Sequence, residues 1–361
     1  MHRPSLVVLL LAGAVLAGAC GGAGAGNRGS AALSPGPLRP APTVAPTTVP
    51  PPPPVVAPPL PLAGCPPPPR PPGGVTPGPA YVPPVLVPES ELPAPVPPGQ
   101  WTPDLAPLGG KGMWVWQYTK TEGGNMDGIV AKAAAAGLRQ LWVRVGDTEN
   151  RFYARDQLAA LVPRAHARGI AVIGWGFPYL FDPVADAAWS AAALAWRTPA
   201  GDALDGFSPD VEMSTEGVAL SDLRVRVYLG LVRQAARGRL VVATVYRPSD
   251  RLWPDLYPYA AMAPYVDAFA PMVYWGCLEP GAATAQAIER LGTLKPVHVV
   301  GQAFDSAATG GRTAAPSDLE TRRFLDVAAR DGGLGASFWV WQLMDDEQWS
   351  ALSAFPWTSP G

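Results

Sequence analysis

Polar and apolar side chains alternate in residues 205–212, which read Asp-Gly-Phe-Ser-Pro-Asp-Val-Glu. Successive side chains of an extended strand point to opposite faces, so Ser208, Asp210 and Glu212 share one face and the apolar residues between them share the other. Two carboxyl groups one strand repeat apart, about 6.5 Å between Cα atoms, raise each other's pKa. One carboxyl group can then stay protonated near neutral pH while the other is charged, which is the arrangement that acid catalysis needs.

Such a pair needs a scaffold, and beyond Trp101 apolar strand-like runs alternate with helical patterns eight times. The predicted strands cover residues 112–118, 141–145, 170–175, 206–213, 240–246, 266–275, 297–304 and 336–341. The predicted helices cover residues 127–137, 156–168, 185–196, 221–237, 256–262, 284–291, 317–330 and 346–354. Eight strand–helix units in about 260 residues predict a (β/α)8 TIM barrel over residues 101–361. An open doubly wound sheet is the alternative, but it needs a glycine-rich phosphate loop after an early strand, and Gln-Tyr-Thr-Lys follows the first one.

Barrels of this kind place catalytic groups at the C-terminal ends of their strands, where Asp210 and Glu212 are predicted to lie. The position favours a catalytic interpretation of the pair. A structural interpretation stays open, in which Arg144 or Arg247 holds the two carboxylates in ion pairs as part of the barrel, because unpaired buried carboxylates are costly.

Charge and histidine content exclude several classes of function. Lys and Arg number 27, four of them in the first hundred residues, and Asp and Glu number 29, two of them there. The folded part is therefore net acidic, near −4, which argues against nucleic acid as a partner. His166 is predicted at an exposed helix end and His298 as a structural residue in a strand. The third histidine, His2, lies at the extreme N-terminus, and the core has no paired cysteines, so we expect no metal site, no Ser–His–carboxylate triad and no cofactor.

Three motifs resemble glycoside hydrolase family 18, the family of chitinase-like barrels. Residues 205–212 resemble its Asp-Gly-x-Asp-x-Asp-x-Glu strand, and Ala-Pro-Met-Val-Tyr at 270–274 is similar to its Met-x-Tyr-Asp motif. Gly-Ala-Ser-Phe-Trp at 335–339 resembles its last strand, whose tryptophan forms the floor of the sugar site. The motifs fall on the fourth, sixth and eighth predicted strands, as in the family. The likeness covers short motifs and fits the wider superfamily of glycoside hydrolase barrels nearly as well.

The resemblance implies roles for three residues. Glu212 would be the general acid that protonates the leaving oxygen. Asp210 would hold the substrate's acetamido group as that group attacks the anomeric carbon, and Tyr274 would hydrogen-bond to the same group.

The sequence departs from the family pattern at two supporting positions. Ser208 stands where the family has its middle aspartate, and Trp275 stands where an aspartate follows the tyrosine. If the substrate does not assist the reaction, a second carboxylate must act as nucleophile or base. Asp147 and Asp305, at the ends of the second and seventh predicted strands, are the candidates, although such residues more often cap loops or bind ligand.

Tryptophans late on the predicted strands are candidate platforms for sugar rings, because such sites need flat apolar surfaces beside a few polar groups. Alternation puts the members of each pair, Trp114 with Trp116 and Trp339 with Trp341, on one face. The alternative is that about half of these tryptophans are core residues that face the helices. The candidates for substrate contact are Trp114, Trp116, Asp147, Trp175, Trp275, Gln302, Asp305, Trp339 and Trp341.

The first hundred residues predict export followed by a spacer. Arg3, an apolar run from Leu6 to Leu16 and small residues before Cys20 indicate a signal peptide over residues 1–19. Cys20 resembles a lipobox cysteine, so a lipid anchor is favoured over simple secretion, and the membrane is expected as a partner only through that anchor. Residues 20–100 are rich in Gly and Ala and then in Pro, which predicts a disordered linker.

Two further cysteines, Cys65 in the linker and Cys277 in the barrel, could pair outside the cell, but a bond from a disordered linker is the less favoured expectation.

The favoured function is an exported glycosidase that cleaves a cell-envelope or environmental polysaccharide and acts as a monomer on a poly- or oligosaccharide. Two alternatives stay open. One is a barrel that binds glycan without turnover, and the other is a surface module that packs on a protein partner.

Overall fold

Eight parallel strands form a closed barrel in the computed structural model, which describes Leu60 and residues 62–65, 86–307 and 311–358. The strands are β1 (Gly110–Val115), β2 (Leu138–Asp147), β3 (Ala171–Phe177), β4 (Gly206–Pro209), β5 (Leu240–Tyr246), β6 (Ala268–Val273), β7 (His298–Gln302) and β8 (Gly335–Trp339). Strand β1 pairs with both β2 and β8, which closes the sheet. The predicted (β/α)8 barrel is confirmed.

Eight helices follow the strands in the predicted order. They are α1 (Met126–Ala135), α2 (Arg155–His166), α3 (Pro183–Ala195), α4 (Asp222–Ala236), α5 (Tyr259–Met262), α6 (Pro280–Gly292), α7 (Asp318–Arg330) and α8 (Asp346–Ala354). Local sequence explains where they begin: Asp182 caps α3, whose first residue is a proline, and a capping box of Ser317 and Glu320 opens α7. A two-residue strand that was not predicted, Arg151–Phe152, pairs antiparallel with the end of β2.

Aromatic side chains fill the inside of the barrel. The rings of Trp114 and Trp142 stack with centroids 4.9 Å apart, and Trp175 lies 5.6 Å from Trp114. Below them, His298 hydrogen-bonds through Nδ1 to the carbonyl of Leu108 at 2.9 Å and through Nε2 to Ser337 Oγ at 3.0 Å. Burial lowers the pKa of His298 to about 4, so the ring is neutral, as expected of a structural histidine. A ligand must therefore bind above this packed core and not within it.

The described part of the predicted linker lies against the barrel in two places. Cys65 forms a disulfide bond with Cys277, which follows β6, so the expectation that these cysteines stay unpaired was wrong. Residues 86–101 contact the loop before α3 and helix α4 itself. In that segment, the amide of Val87 donates to the carbonyl of Phe181, and the Trp101 ring packs under Arg233 of α4.

The remaining N-terminal predictions, namely the signal peptide, Cys20 and most of the linker, fall outside the described residues. Within the described residues, no helix has the length and apolar character needed to span a membrane.

Candidate active site

The chain keeps its extended alternation past the end of β4. The predicted strand reached residue 213, whereas β4 ends at Pro209, which has no N–H for the sheet. The amides of Asp210 and Val211 still donate to carbonyls of β3 and β5, those of Gly176 and Thr244. Outward-facing Phe207 packs on Trp189 of α3, and Asp210 is buried near Glu212 and Tyr274. The predicted outward face is therefore confirmed for Phe207.

Burial and a neighbouring carboxylate raise the pKa of each of the two carboxyl groups. Asp210 is buried, and its pKa lies well above the ordinary value because of burial and the neighbouring Glu212, with Arg144 acting in the opposite direction. Burial raises the pKa of Glu212 to about 7, aided by the charge of Glu216 and opposed by a hydrogen bond from Tyr246. Glu212 can therefore hold a proton near neutral pH, which is what a general acid requires.

Glu212 lines an open cavity at the C-terminal end of the barrel, with a volume of about 430 Å³. Glu216, Tyr246 and Tyr274 surround it on the polar side, and Leu252 and Met272 supply apolar wall. We call this hollow the Glu212 cavity. Its full lining is Glu212, Glu216, Tyr246, Arg247, Ser249, Leu252, Met272 and Tyr274. A pocket of this size with a few convergent polar groups suits part of an oligosaccharide.

Neither arginine considered for a structural ion pair holds the carboxylates. The Arg144 guanidinium pairs with Asp147 at 3.1 Å and lies over the Trp175 ring at 4.8 Å. Arg247 donates to Gln286 instead. No ion pair within the described residues involves Asp210 or Glu212. The pair is therefore not clamped as scaffold, which leaves it available for chemistry.

Ser208 and Tyr274 complete the surroundings of the pair. The Ser208 hydroxyl lies 2.6 Å from the carbonyl of Val242 and 2.7 Å from Thr244 Oγ1, so its hydrogen bonds are made to β5. One oxygen of Asp210, Oδ1, is buried without a hydrogen-bond partner in the described part of the chain. Burial and the two carboxylates raise the pKa of Tyr274, so its hydroxyl stays protonated and can donate to a ligand.

The first acid of the motif has a different role. Asp205 lies before β4, at the opposite end of the strand, where it accepts from the amide of Val172 at 2.7 Å and contacts His166 Nε2 at 2.9 Å. His166 is therefore partly buried and paired, and the expectation of an exposed helix end was wrong.

Two of the predicted tryptophan platforms lie at the C-terminal opening of the barrel. Trp116 follows β1 and is 39% exposed, and its ring stacks with that of the partly exposed Trp339 at a centroid distance of 6.1 Å. Trp114 and Trp175 lie deeper and are 1% exposed, so they form the floor under this pair and are not a contact surface themselves.

Trp275 and Trp341 face the helices, which argues against their predicted contact with substrate. Trp275 donates to Glu320 at 3.1 Å and packs on Phe324, both in α7. Trp341 packs on Trp349 of α8 at 4.8 Å. The alternation that was expected to keep Trp339 and Trp341 on one face fails because β8 ends at Trp339.

The remaining polar candidates hold loops. Asp147 accepts from Arg144 and from the amides of Glu149 and Asn150, as a loop-capping residue does. Gln302 accepts from the amide of Gly276 and donates to the carbonyl of Phe304, which ties the loops after β6 and β7 together.

Asp305 is exposed and accepts from the amide of Ala307. None of the three polar candidates lines the Glu212 cavity.

Residues that the sequence analysis did not select line the cavity beside Glu212. Tyr246 ends β5, Arg247 follows it, and Glu216 lies in a short turn four residues after Glu212. Because β5 pairs next to β4, the end of β5 was a position where a polar residue would meet Glu212. The order of the strands in a barrel therefore predicts that a polar residue at the end of β5 lies beside Glu212.

A larger hollow of about 760 Å³ lies at the N-terminal end of the barrel, beside Gly110, Gly137 and Lys111. The Lys111 ammonium group is held there by three backbone carbonyls, among them that of Leu352 at 2.7 Å. This hollow has no acidic side chain in its lining and lies away from the strand ends that carry chemistry in barrels. In the described part of the chain, no three His, Cys, Asp or Glu side chains converge to hold a metal ion.

Comparison with solved structures finds similar barrels in a spore cortex-lytic enzyme and two chitinases. The spore cortex-lytic enzyme SleL of Bacillus cereus has a TM-score of 0.51 at 11% identity, over 70% of this chain and 75% of that one. The chitinase of Chromobacterium violaceum has a TM-score of 0.50 at 11% identity, over 68% and 98%. A class V chitinase mutant from Cycas revoluta, solved with (GlcNAc)3, has a TM-score of 0.50 at 11% identity, over 67% and 98%.

No protein-family model and no curated protein matches the sequence. At such low identity the structural likeness shows the fold alone, which is a (β/α)8 barrel.

Proposed function

We propose that the protein is a glycoside hydrolase in which Glu212 is the general acid. The observation that carries this proposal is the place of Glu212, a carboxyl group with a pKa raised to about 7 that lines an open cavity at the C-terminal end of the barrel. The pKa of Asp210 is raised as well, so the position in the cavity is what favours Glu212 as the acid, because a general acid must both hold a proton and reach the substrate.

In the proposed reaction, Glu212 donates its proton to the glycosidic oxygen as the bond from that oxygen to the anomeric carbon breaks. By the family resemblance, the acetamido oxygen of the substrate attacks the anomeric carbon, and Asp210 and Tyr274 hold that group. Water then opens the resulting ring at the anomeric carbon and returns a proton to Glu212. Tyr274 is suited to its part because its hydroxyl stays protonated between the two carboxyl groups.

Asp210 is buried and does not line the Glu212 cavity, so its side chain would have to turn toward the cavity to hydrogen-bond to a ligand. If Asp210 does not hold an acetamido group, the second carboxylate must come from elsewhere. Glu216 fits that requirement better than Asp147 or Asp305, because Glu216 lines the same cavity as Glu212.

The substrate class that fits the site is a poly- or oligosaccharide. The Trp116 and Trp339 rings form an apolar platform at the barrel opening on which sugar C–H faces can stack. The signal peptide and Cys20 support the further proposal that the enzyme acts outside the cytoplasm as a lipid-anchored monomer, on cell-envelope or environmental glycans.

A glycan-binding barrel without turnover is the second candidate, and one observation favours it. Ser208 occupies the position of the aspartate that backs up Asp210 in the family, and its hydroxyl is already bonded to β5. A serine hydroxyl is neutral, so it cannot carry the negative charge that a second carboxylate beside Asp210 would carry.

The test compares the wild type with Glu212→Gln on a panel of glycans, with Glu347→Gln on the exposed face of α8 as the matched control. We expect hydrolysis by the wild type and the control, and loss of hydrolysis with retained binding in Glu212→Gln. Binding without turnover in the wild type would favour the second candidate, and no glycan affinity at all would favour the protein-interaction module.

The fold of Glu212→Gln should stay intact, because the change is isosteric and removes a partly buried group that becomes charged only as pH rises through its raised pKa. A raised carboxyl pKa means that this group destabilises the fold as pH rises from the unfolded value toward 7. The melting temperature of the variant should therefore equal or exceed that of the wild type above pH 7. A clear decrease would instead support a structural role for Glu212.

A further inference from the structure

Arg247 separates two hollows at the C-terminal end of the barrel. It lines the Glu212 cavity, and it also lines a neighbouring hollow of about 240 Å³ whose walls include Asp250, Leu278 and Gln286. Consider a glycan chain whose scissile bond lies at Glu212. If the chain extends from the Glu212 cavity into the neighbouring hollow, it passes the Arg247 guanidinium.

The guanidinium of Arg247 has no ion-pair partner in the described residues. Its one hydrogen bond runs from Nη1 to the neutral amide oxygen of Gln286 at 2.8 Å. Two acids line the neighbouring hollow, and each pairs with another arginine. Asp250 pairs with Arg290 at 2.5 Å and also accepts from Gln286, and Glu279 pairs with Arg323 at 3.4 Å.

An unpaired and partly buried cation is costly for the folded protein. Burial lowers the pKa of Arg247 below its ordinary value, and neighbouring Arg290 acts in the same direction, while Asp250 opposes both. The fold does not use this charge for pairing within the described chain. An arginine presents a planar fork of donors that matches the oxygens of a carboxylate, phosphate or sulfate group.

The rest of the Glu212 cavity has the opposite character. Glu212 and Glu216 belong to the loop after β4, whereas Arg247 is the first residue of the loop after β5. A glycan with an anionic group on one portion only can therefore bind in one direction, with that group at Arg247 and its neutral portion at the carboxylates.

We propose that Arg247 binds an anionic substituent of the glycan, so that the preferred substrate is a polysaccharide bearing carboxylate or sulfate groups. The inference rests on the proposed function of the Glu212 cavity and adds the chemical class of its substrate. In this proposal Arg247 contributes binding energy and fixes which sugar of the glycan lies at Glu212, and it takes no part in bond cleavage.

The test measures binding by calorimetry with the full-length chain carrying Glu212→Gln, so that the probes are not consumed. The probes are a tetrasaccharide of N-acetylglucosamine, the same backbone with lactyl ether carboxylates on alternate sugars, its carboxamide derivative, and a sulfated form. Arg247→Gln and Arg247→Lys are each added to this background, with Arg251→Gln as the control for an exposed arginine in the same loop.

We expect the carboxylated or the sulfated probe to bind more tightly than the neutral one, and the preferred probe identifies the anion. Arg247→Gln should lower affinity for the preferred anionic probe by about tenfold to a hundredfold and leave the neutral and carboxamide probes unchanged. Arg247→Lys should keep part of the preference, because it retains the charge and loses the fork. Arg251→Gln should change nothing.

Equal binding of charged and neutral probes, or an equal loss for all probes in Arg247→Gln, would overturn the proposal. The second result would mean that Arg247 only holds the loop through Gln286. These readouts are independent of turnover. Failure of hydrolysis in the wild type would count against the proposed function, and loss of anion preference would count against this inference alone.

Discussion

The hydroxyl group of Tyr246, the last residue of β5, lies within hydrogen-bonding reach of the carboxyl groups of both Glu212 and Glu216. The hydroxyl has one proton to donate, so the two carboxyl groups compete for it. Tyr246 stabilises the charged form of Glu212, whereas the charge of Glu216 destabilises it. The protonation of the proposed acid therefore depends on two neighbours with opposite effects.

Substitution of these neighbours should shift the pH dependence of hydrolysis in opposite directions. Tyr246→Phe removes a hydrogen bond to the charged form, so the pKa of Glu212 should rise and the alkaline limb of kcat/KM should move to higher pH. Glu216→Gln removes a negative charge, so the same limb should move to lower pH. The measurement is the pH profile of kcat/KM for each variant. Shifts in the same direction, or none in either variant, would contradict the assignment of Glu212 as the acid.

The positions of the tryptophans predict that Trp116 contributes to substrate binding and that Trp275 contributes to the stability of the fold. Trp116→Ala should raise KM by about fivefold with little change in kcat, because an exposed stacking surface is lost. Trp275→Ala should destabilise the fold by about 3–5 kcal/mol, because its buried ring packs against α7. Steady-state kinetics and denaturant unfolding on both variants check the pair. A purely kinetic effect of Trp275→Ala would mean that Trp275 contacts substrate after all.

The disulfide bond between Cys65 and Cys277 should contribute to stability. It closes a span of 212 residues and fixes the segment before it, where the carbonyl of Gly64 accepts from the amide of Thr313 at 2.9 Å. Replacing both cysteines with serine should lower the free energy of unfolding by about 2–5 kcal/mol. Thermal unfolding of this variant and of the wild type, each with and without reductant, measures the effect. A wild type that is insensitive to reductant and matches the variant would contradict the prediction.

His166 should stabilise the fold in a pH-dependent manner. Its pKa is raised, chiefly by the hydrogen bond to Asp205, with burial acting in the opposite direction. A raised histidine pKa means that the stabilisation is fully present below the unfolded pKa of 6.5 and is lost as pH rises through the folded value. The difference in melting temperature between the wild type and His166→Asn should therefore be larger at pH 5.5 than at pH 8.5. An equal difference at both values would show that the pairing does not depend on charge.

The sequence was sufficient to predict the fold and the acidic pair because both depend on local patterns. Runs of β-branched residues such as those of β5 located the strands, and alternation set the outward face of Phe207. The same rule failed for Trp341, because alternation applies only within a strand and β8 ends two residues earlier. Tyr246 and Arg247 depend on contacts between neighbouring strands, which spacing along one segment does not contain.

The role of Glu212 as the acid that protonates the leaving oxygen is tested most directly by varying the leaving group. The measurement is kcat/KM of the wild type and Glu212→Gln on a glycan with an alcohol leaving group and on an aryl glycoside whose leaving group needs no proton. A general acid predicts a loss of about a hundredfold or more on the glycan and a much smaller loss on the aryl glycoside. An equal loss on both substrates, or undiminished cleavage of the glycan by the variant, would contradict the assignment.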